Sequence, residues 1–163
     1  MIKLRPAIEI CKRTMSGPIR GAEIGVLGGG HAVTMLREFP ALTELHLVDS
    51  YGGITEADPK FMEFRDRFAA ERHRIIWHIM TSLEAAKIIP AGSLDFVYID
   101  ANHRYFEVAQ DIRAWLPKVR PGGVICGHDY FSYGSVKQAV DDWAAETNNY
   151  IFSTYPDWWV FID

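Results

Sequence analysis

Two hydrophobic rhythms alternate along this chain. Short unbroken apolar runs predict strands at Glu44–Val48, Ile75–Met80, Ser93–Ile99 and Val124–Cys126, with two closing strands at Tyr150–Thr154 and Trp158–Ile162. Between them, apolar residues recur every three to four positions, as buried helical faces require: Phe61, Phe64 and Phe68; Tyr105, Val108, Ala109, Ile112, Trp115 and Leu116; Val136, Ala139, Val140 and Trp143. A first short helix, from about Pro6 to Met15, is broken by Ser16-Gly17-Pro18. Asp58-Pro59 supplies an N-cap and a first-turn proline, and Thr81-Ser82-Leu83-Glu84 has capping-box form. Pro40 and Pro117 end helices, and Val119-Arg120-Pro121-Gly122-Gly123 reads as a turn. Strand and helix alternating in this way, with strands apolar on both faces, predict a doubly wound, mostly parallel α/β sheet.

The stretch Ala22–His31, A-E-I-G-V-L-G-G-G-H, passes from strand to helix through Gly25, Gly28, Gly29 and Gly30. Glycines there let the backbone turn sharply and approach a ligand, and the helix that follows points free N–H groups into the turn. Doubly wound sheets bind ligands beyond the carboxyl ends of their strands, and three strands end there in acids: Asp49, Asp100 and Asp129. Asp49, about 20 residues past the glycine turn, stands where a carboxylate accepts ribose hydroxyls. Its alternative is to cap the Tyr51-Gly52-Gly53 turn. A dinucleotide site wants G-x-G-x-x-G, and Leu27 occupies the second glycine position. Glu23 would also face a pyrophosphate with like charge, whereas it suits a ligand with a positive end, such as S-adenosylmethionine (SAM).

Composition narrows the field. At 163 residues the chain has the size of one domain. A net charge of −4 without a basic block argues against nucleic acid as the main partner. Cys11 and Cys126 lack metal-ligand spacing and fit a reduced, cytoplasmic setting. No apolar run is long enough to span a bilayer, and the N-terminus lacks an apolar signal-like segment.

Together, E-I-G-V-L-G-G, a strand ending in V-D-S, the V-R-P-G-G-V-I segment and two final strands resemble a class I SAM-dependent methyltransferase across Gly21–Asp163. More narrowly, Y-I-D-A-N-H-R-Y-F-E-V-A-Q-D-I followed by V-R-P-G-G-V-I-C-G-H-D-Y is similar to the family that includes macrolide sugar O-methyltransferases. The resemblance implies one domain over residues 1–163 and a seven-stranded Rossmann-like sheet in the order 3-2-1-4-5-7-6, with the last strand antiparallel. It implies that Glu23, Gly25 and Gly29 form the cofactor turn and that Asp49, with Ser50, holds the ribose. Thr81 and Ser82 would lie beside the adenine, where many relatives carry an acid. Asp100 would meet the methionine end of the cofactor. In metal-dependent relatives Asp100 and Asp129 would hold Mg²⁺ and His103 would be the base, although Tyr130 stands where catechol-type relatives often carry Asn.

The expected function is therefore methyl transfer from SAM to a hydroxyl of a small-molecule acceptor. A sulfonium methyl is already activated, so the protein has mainly to align a nucleophile and remove its proton. His103 can accept that proton near neutral pH, and a hard divalent ion can lower the hydroxyl pKa. Two other readings stand beside it: a non-catalytic SAM- or nucleoside-binding module, and a nicotinamide-dependent oxidoreductase. His103 has a helix-capping alternative, and Asp100 and Asp129 have a loop-bonding one. His128 is expected to support the ligands from behind or to be structural, and His31 to be a partly exposed residue at a helix start, with contact to the cofactor carboxylate as its alternative. Tyr130, Phe131 and Tyr133 are placed to cover a substrate. Trp143, Tyr150, Phe152, Trp158 and Trp159 are expected to pack in the core. So spare a domain is also expected to pair as a homodimer.

Overall fold

The computed structural model describes residues 3–163. Seven strands form one sheet: β1 (Ile19–Ile24), β2 (Leu42–Val48), β3 (Ile75–His78), β4 (Leu94–Ile99), β5 (Val119–Gly127), β6 (Phe152–Thr154) and β7 (Asp157–Phe161). Their order is β3-β2-β1-β4-β5-β7-β6. The first five run parallel, and β7 is antiparallel to both β5 and β6. This is the predicted order, and the lone antiparallel insertion is where it was expected.

Helices α1 (Pro6–Thr14), α2 (Gly30–Glu38) and α3 (Pro59–Asp66) precede α4 (Ser82–Ile88), α5 (Tyr105–Trp115) and α6 (Gly134–Thr147). Two apolar layers sandwich the sheet. One joins Ile8, Leu36 and Phe68 to Leu45, Leu47 and Phe96; the other joins Ala85, Ile112 and Val140 to Ile24, Val97 and Ile125. All six residues of β4 are buried, as expected of a central parallel strand covered on both faces. The two predicted caps hold: Asp58 accepts from the Lys60 N–H, and Thr81 and Glu84 form a reciprocal capping box.

Three expectations change. The turn expected at Val119–Gly123 is the start of β5. Pairing with β4 jumps from Leu94↔Val119 to Phe96↔Val124, so Arg120, Pro121 and Gly122 bulge out of the ladder. Pro121 has no N–H to give a ladder, and Gly122 sits at a φ of +75°. The strand after Arg74 stops at His78 instead of Met80. Tyr150 and Phe152 lie on the outside, because β6 is the sheet's edge strand and α1 reaches it only at its margin. Tyr150 is 74% exposed, and Phe152 stacks on Trp159 from the solvent side. Trp143, Trp158 and Trp159 are buried as expected.

Candidate functional site

The tips of β1, β2 and β4 end side by side over a cavity of about 1080 Å³. Its walls are the glycine turn, the Asp49–Ser50 tip, the start of α4 and the Asp100–His103 loop. A drug-sized or nucleoside ligand occupies a few hundred cubic ångströms, so the space admits one with room for a second molecule.

The glycine turn is built around Gly25. At a φ of +88°, a Cβ on this residue would lie 2.2 Å from the Asp100 carbonyl oxygen. Only glycine therefore lets the tips of β1 and β4 close on each other. Gly29, left-handed as well, is the N-cap of α2. Asp49 ties the turn down: one carboxylate oxygen accepts from the Val26 and Leu27 N–H groups at 2.9 Å each, and the other accepts from the Tyr51 N–H at 2.8 Å. The predicted capping of the Tyr51 turn is thus real. The grip on the glycine turn was not foreseen. A carboxylate offers about four lone pairs, so acceptor capacity remains on the cavity side for ribose hydroxyls. Ser50 is exposed at the same tip.

Glu23 is 2% exposed, with Oε1 at 2.8 Å from His31 Nδ1. Its Oε2 and the His31 Nε2 are buried without a partner, and both residues line the cavity. His31 stands in the first turn of α2 and is partly buried, as expected, but its side chain is only 7% exposed and packs on the Tyr98 ring at 4.5 Å. The first turn of α2 carries it inward, over the strand residue paired with Glu23. An unpaired buried carboxylate oxygen costs free energy that only a donor or a cation relieves. This wall fits the positive end of a ligand.

Thr81 and Ser82 do line the cavity, but their hydroxyls are already engaged. Thr81 Oγ1 serves the capping box, donating to Glu84 Oε2 at 2.6 Å. Ser82 Oγ donates to Asp111 and accepts from Trp115 Nε1 at 2.8 Å. Asp111, from α5, supplies the carboxyl that the chain lacks just past β3. Burial pushes its pKa up to about 6, with the Ser82 bond pulling the other way.

Beyond Asp100 the rim gathers a charged cluster. Asp100 Oδ2 accepts from Arg5 Nη1 at 2.6 Å, leaving Oδ1 to face His103 Nε2 at 4.0 Å and His128 Nδ1 at 3.8 Å. His103 Nε2 lies 2.8 Å from Asp129 Oδ2, and His128 Nδ1 lies 3.0 Å from the same oxygen. Both nitrogens approach off the axis along which a ring nitrogen bonds, so neither is satisfied by it. Burial disfavours the Asp129 carboxylate, but His128 and His103 outweigh it and hold its pKa below the ordinary value. Tyr133 stacks on His103 at 4.2 Å and fixes the ring. Asp129 touches the cavity only through His103, which is in the wall.

Asp100, His103 and Asp129 offer ligand atoms within 4.8 Å of one another. Two carboxylates and an imidazole with an unsatisfied nitrogen fit a divalent ion. The imidazole makes the set less purely oxygen than Mg²⁺ prefers, and Arg5 already occupies one Asp100 oxygen.

The sequence reading missed Arg5 and the reach of Asp111, and gave an inward His31 only as the lesser alternative. Arg5 lies outside every motif. Asp111 sits one helical turn from Val108 on a face read only as apolar, and a polar residue among apolar ones was the available signal.

Such a sheet, with a glycine turn after β1, an acid at the tip of β2 and a cavity along its carboxyl edge, defines a doubly wound α/β domain of the Rossmann-like kind. Residues 22–130 match the methyltransferase-domain family, and the chain belongs to it. Over 91 residues, 53% of the chain, it is 30% identical to the uncharacterised protein y4gI of Sinorhizobium fredii (strain NBRC 101917 / NGR234), and it spans about a tenth of that protein's length. Among solved structures it resembles the O-methyltransferase NovP (TM-score 0.73, 18% identity, 95% of this chain and 77% of that one). It also resembles the O-methyltransferase TomG of Streptomyces achromogenes, solved with SAM (0.70, 16%, 96% and 78%). The Streptococcus mutans protein SMU.1697c, solved with SAH (S-adenosylhomocysteine), is similar over 99% of this chain and 98% of its own (0.70, 11%). Identities this low establish the shared fold.

Proposed function

We propose that this chain transfers a methyl group from SAM to a hydroxyl of a small molecule. The observation that carries the reading is the layout around Asp100. On one side lie the glycine turn, Asp49 and a buried unpaired Glu23 oxygen; on the other, an imidazole beside a carboxylate. Bound there, SAM would supply a methyl already activated on a positive sulfonium.

The residues divide the remaining work. Asp49 and the turn hold the sugar, Thr81, Ser82 and Asp111 border the base, and Glu23 with His31 receives the ammonium end. His103 takes the acceptor's hydroxyl proton on Nε2. Asp129, 2.8 Å away, stabilises the imidazolium that results, and Tyr133 holds the ring in place. A divalent ion held by Asp100, His103 and Asp129 would take the His103 nitrogen as a ligand and would lower the hydroxyl pKa in place of the imidazole base. With no cluster of basic residues in the cavity among the described residues, a small molecule is the favoured acceptor over a nucleic acid.

The test is transfer of labelled methyl from SAM to a panel of hydroxylated acceptors, with Mg²⁺ and with EDTA. Turnover that His103→Gln lowers by roughly 100-fold or more, with SAH affinity unchanged, is the expected result. Retained SAH binding with no turnover on any acceptor would favour a regulatory binding module. Loss of turnover in EDTA alone would add the metal to the mechanism.

A further inference from the structure

Given the methyl-transfer reading above, on which this rests, we infer that the acceptor is an uncharged phenol. Its seat is an aromatic wall that runs outward from His103 through Tyr133 to Phe131 and Tyr155.

The wall is set by backbone bonds. Asp129 stands at a φ of +63°, and its carbonyl accepts from the Ser132 and Tyr133 N–H groups at 3.1 Å each. The segment after β5 is thereby closed into a tight loop that lays Tyr133 on the His103 ring, 9° from parallel. The Ser135 hydroxyl, in the first turn of α6, donates to the His103 carbonyl, so the two loops hold each other. The Tyr130 N–H donates to the Pro156 carbonyl at 3.2 Å, which brings the β6–β7 turn alongside, with the Tyr155 ring 6.0 Å from that of Phe131.

Of the rings expected to cover a substrate, Tyr130 is turned inward, its hydroxyl bonded to Asp141. Phe131 and Tyr133 are about half exposed, and Tyr155 more so. These rings stand beside the proton-accepting imidazole and are not consumed by the core, which marks a binding surface. Their faces and edges suit another flat ring.

The hydroxyl's acidity points the same way. A phenol ionises at a pKa of about 10, an alkanol about as reluctantly as water, at about 15.7. The base offered is an imidazole, which suits the first far better than the second. In the transfer the hydroxyl proton passes to His103 Nε2, an O–CH₃ bond forms as the donor's S–CH₃ bond breaks, and the sulfur keeps that bond's electron pair.

Charge excludes the acidic phenols. Glu23, Asp49, Asp100, Glu107 and Asp111 line the cavity, and Arg5, the one guanidinium or ammonium in its wall among the described residues, is already bonded to Asp100. A carboxylate or phosphate on the acceptor would meet repulsion there.

The test is transfer of labelled methyl from SAM, with Mg²⁺ present, to 4-methylphenol, benzyl alcohol and 4-methylcyclohexanol. The first has the ring and the acidic hydroxyl, the second only the ring, the third neither. 4-Methylphenol should exceed both alcohols in kcat/KM by roughly 100-fold or more, and benzyl alcohol should compete with it better than 4-methylcyclohexanol does. Replacing Phe131 and Tyr155 together by alanine should raise KM for 4-methylphenol roughly 10-fold, with SAH affinity held. Equal methylation of 4-methylcyclohexanol and 4-methylphenol would overturn the phenol, and an unaltered KM in the double variant would overturn the wall. Transfer to a panel of sugars with none to 4-methylphenol would uphold methyl transfer and overturn the phenol. Transfer to no hydroxyl at all by a protein that binds SAH fails the methyl-transfer reading itself, and this inference with it.

Discussion

The two sides of the cavity are built on opposite principles. On the β1–β2 side, backbone groups and one carboxylate lock each other. Gly25 lets the chain cross Asp100, and Asp49 accepts from three N–H groups, so the wall is set before any ligand arrives. On the β4–β5 side, Asp100, His103, His128 and Asp129 stand within 4 Å of one another in pairs, with two imidazole nitrogens unsatisfied. A rigid wall gives binding and orientation at little reorganisation cost. A cluster of titratable groups left unsaturated gives the means to move a proton or hold a cation. Under the proposed function, binding and chemistry fall to different strands.

The comparison can be broken hardest at Gly25. Gly25→Ala combines a left-handed backbone with a contact of 2.2 Å to a backbone oxygen, so a loss of more than about 3 kcal/mol in chemical denaturation is expected. A variant of wild-type stability would show that the β1–β2 wall is not set by this crossing. Glu23→Gln comes next. It exchanges a buried anion for a neutral amide, and SAM affinity should fall on the order of 10-fold while methylthioadenosine affinity holds. Equal losses for both ligands would move Glu23 from recognition to support.

Asp111 gives the smallest effect and one with a definite sign. Its folded pKa of about 6 lies above the ordinary 3.8, so the fold favours the protonated form. The stability this contributes is complete below pH 4 and is lost as the pH rises through 6. Asp111→Asn should match the wild type near pH 3.5 and exceed it at pH 7 by on the order of 1 kcal/mol, below the ~3 kcal/mol that the full displacement represents. A gain equal at both pH values would deny the buried carboxyl its pKa shift.

What could be seen in the sequence follows from which forces act locally. Capping at Asp58 and Thr81 and the burial of β4 are decided by near neighbours, and both were legible. So was the sheet order, through the family resemblance carried by the glycine turn and V-R-P-G-G-V-I. The bulge at Arg120–Gly122 misled because proline and glycine mark a turn equally well inside a strand. Tyr150 and Phe152 misled because exposure on β6 and just before it is set by the sheet's edge, a property of the whole fold. Arg5 and Asp111 reach the cavity across 95 and 29 residues of chain, to Asp100 and Ser82, and no local pattern encodes such a meeting. Asp49, read for its ligand, was found also to hold the turn that forms the ligand's seat.

The most direct measurement is calorimetric titration of SAM into the wild type and Asp49→Ala. One saturable site in the wild type, weakened 100-fold or more in the variant, is the expected result, since the change removes the sugar's acceptor and frees three N–H groups of the turn. No binding by the folded wild type, or equal affinity in both proteins, would contradict the assignment of this cavity to a sulfonium nucleoside.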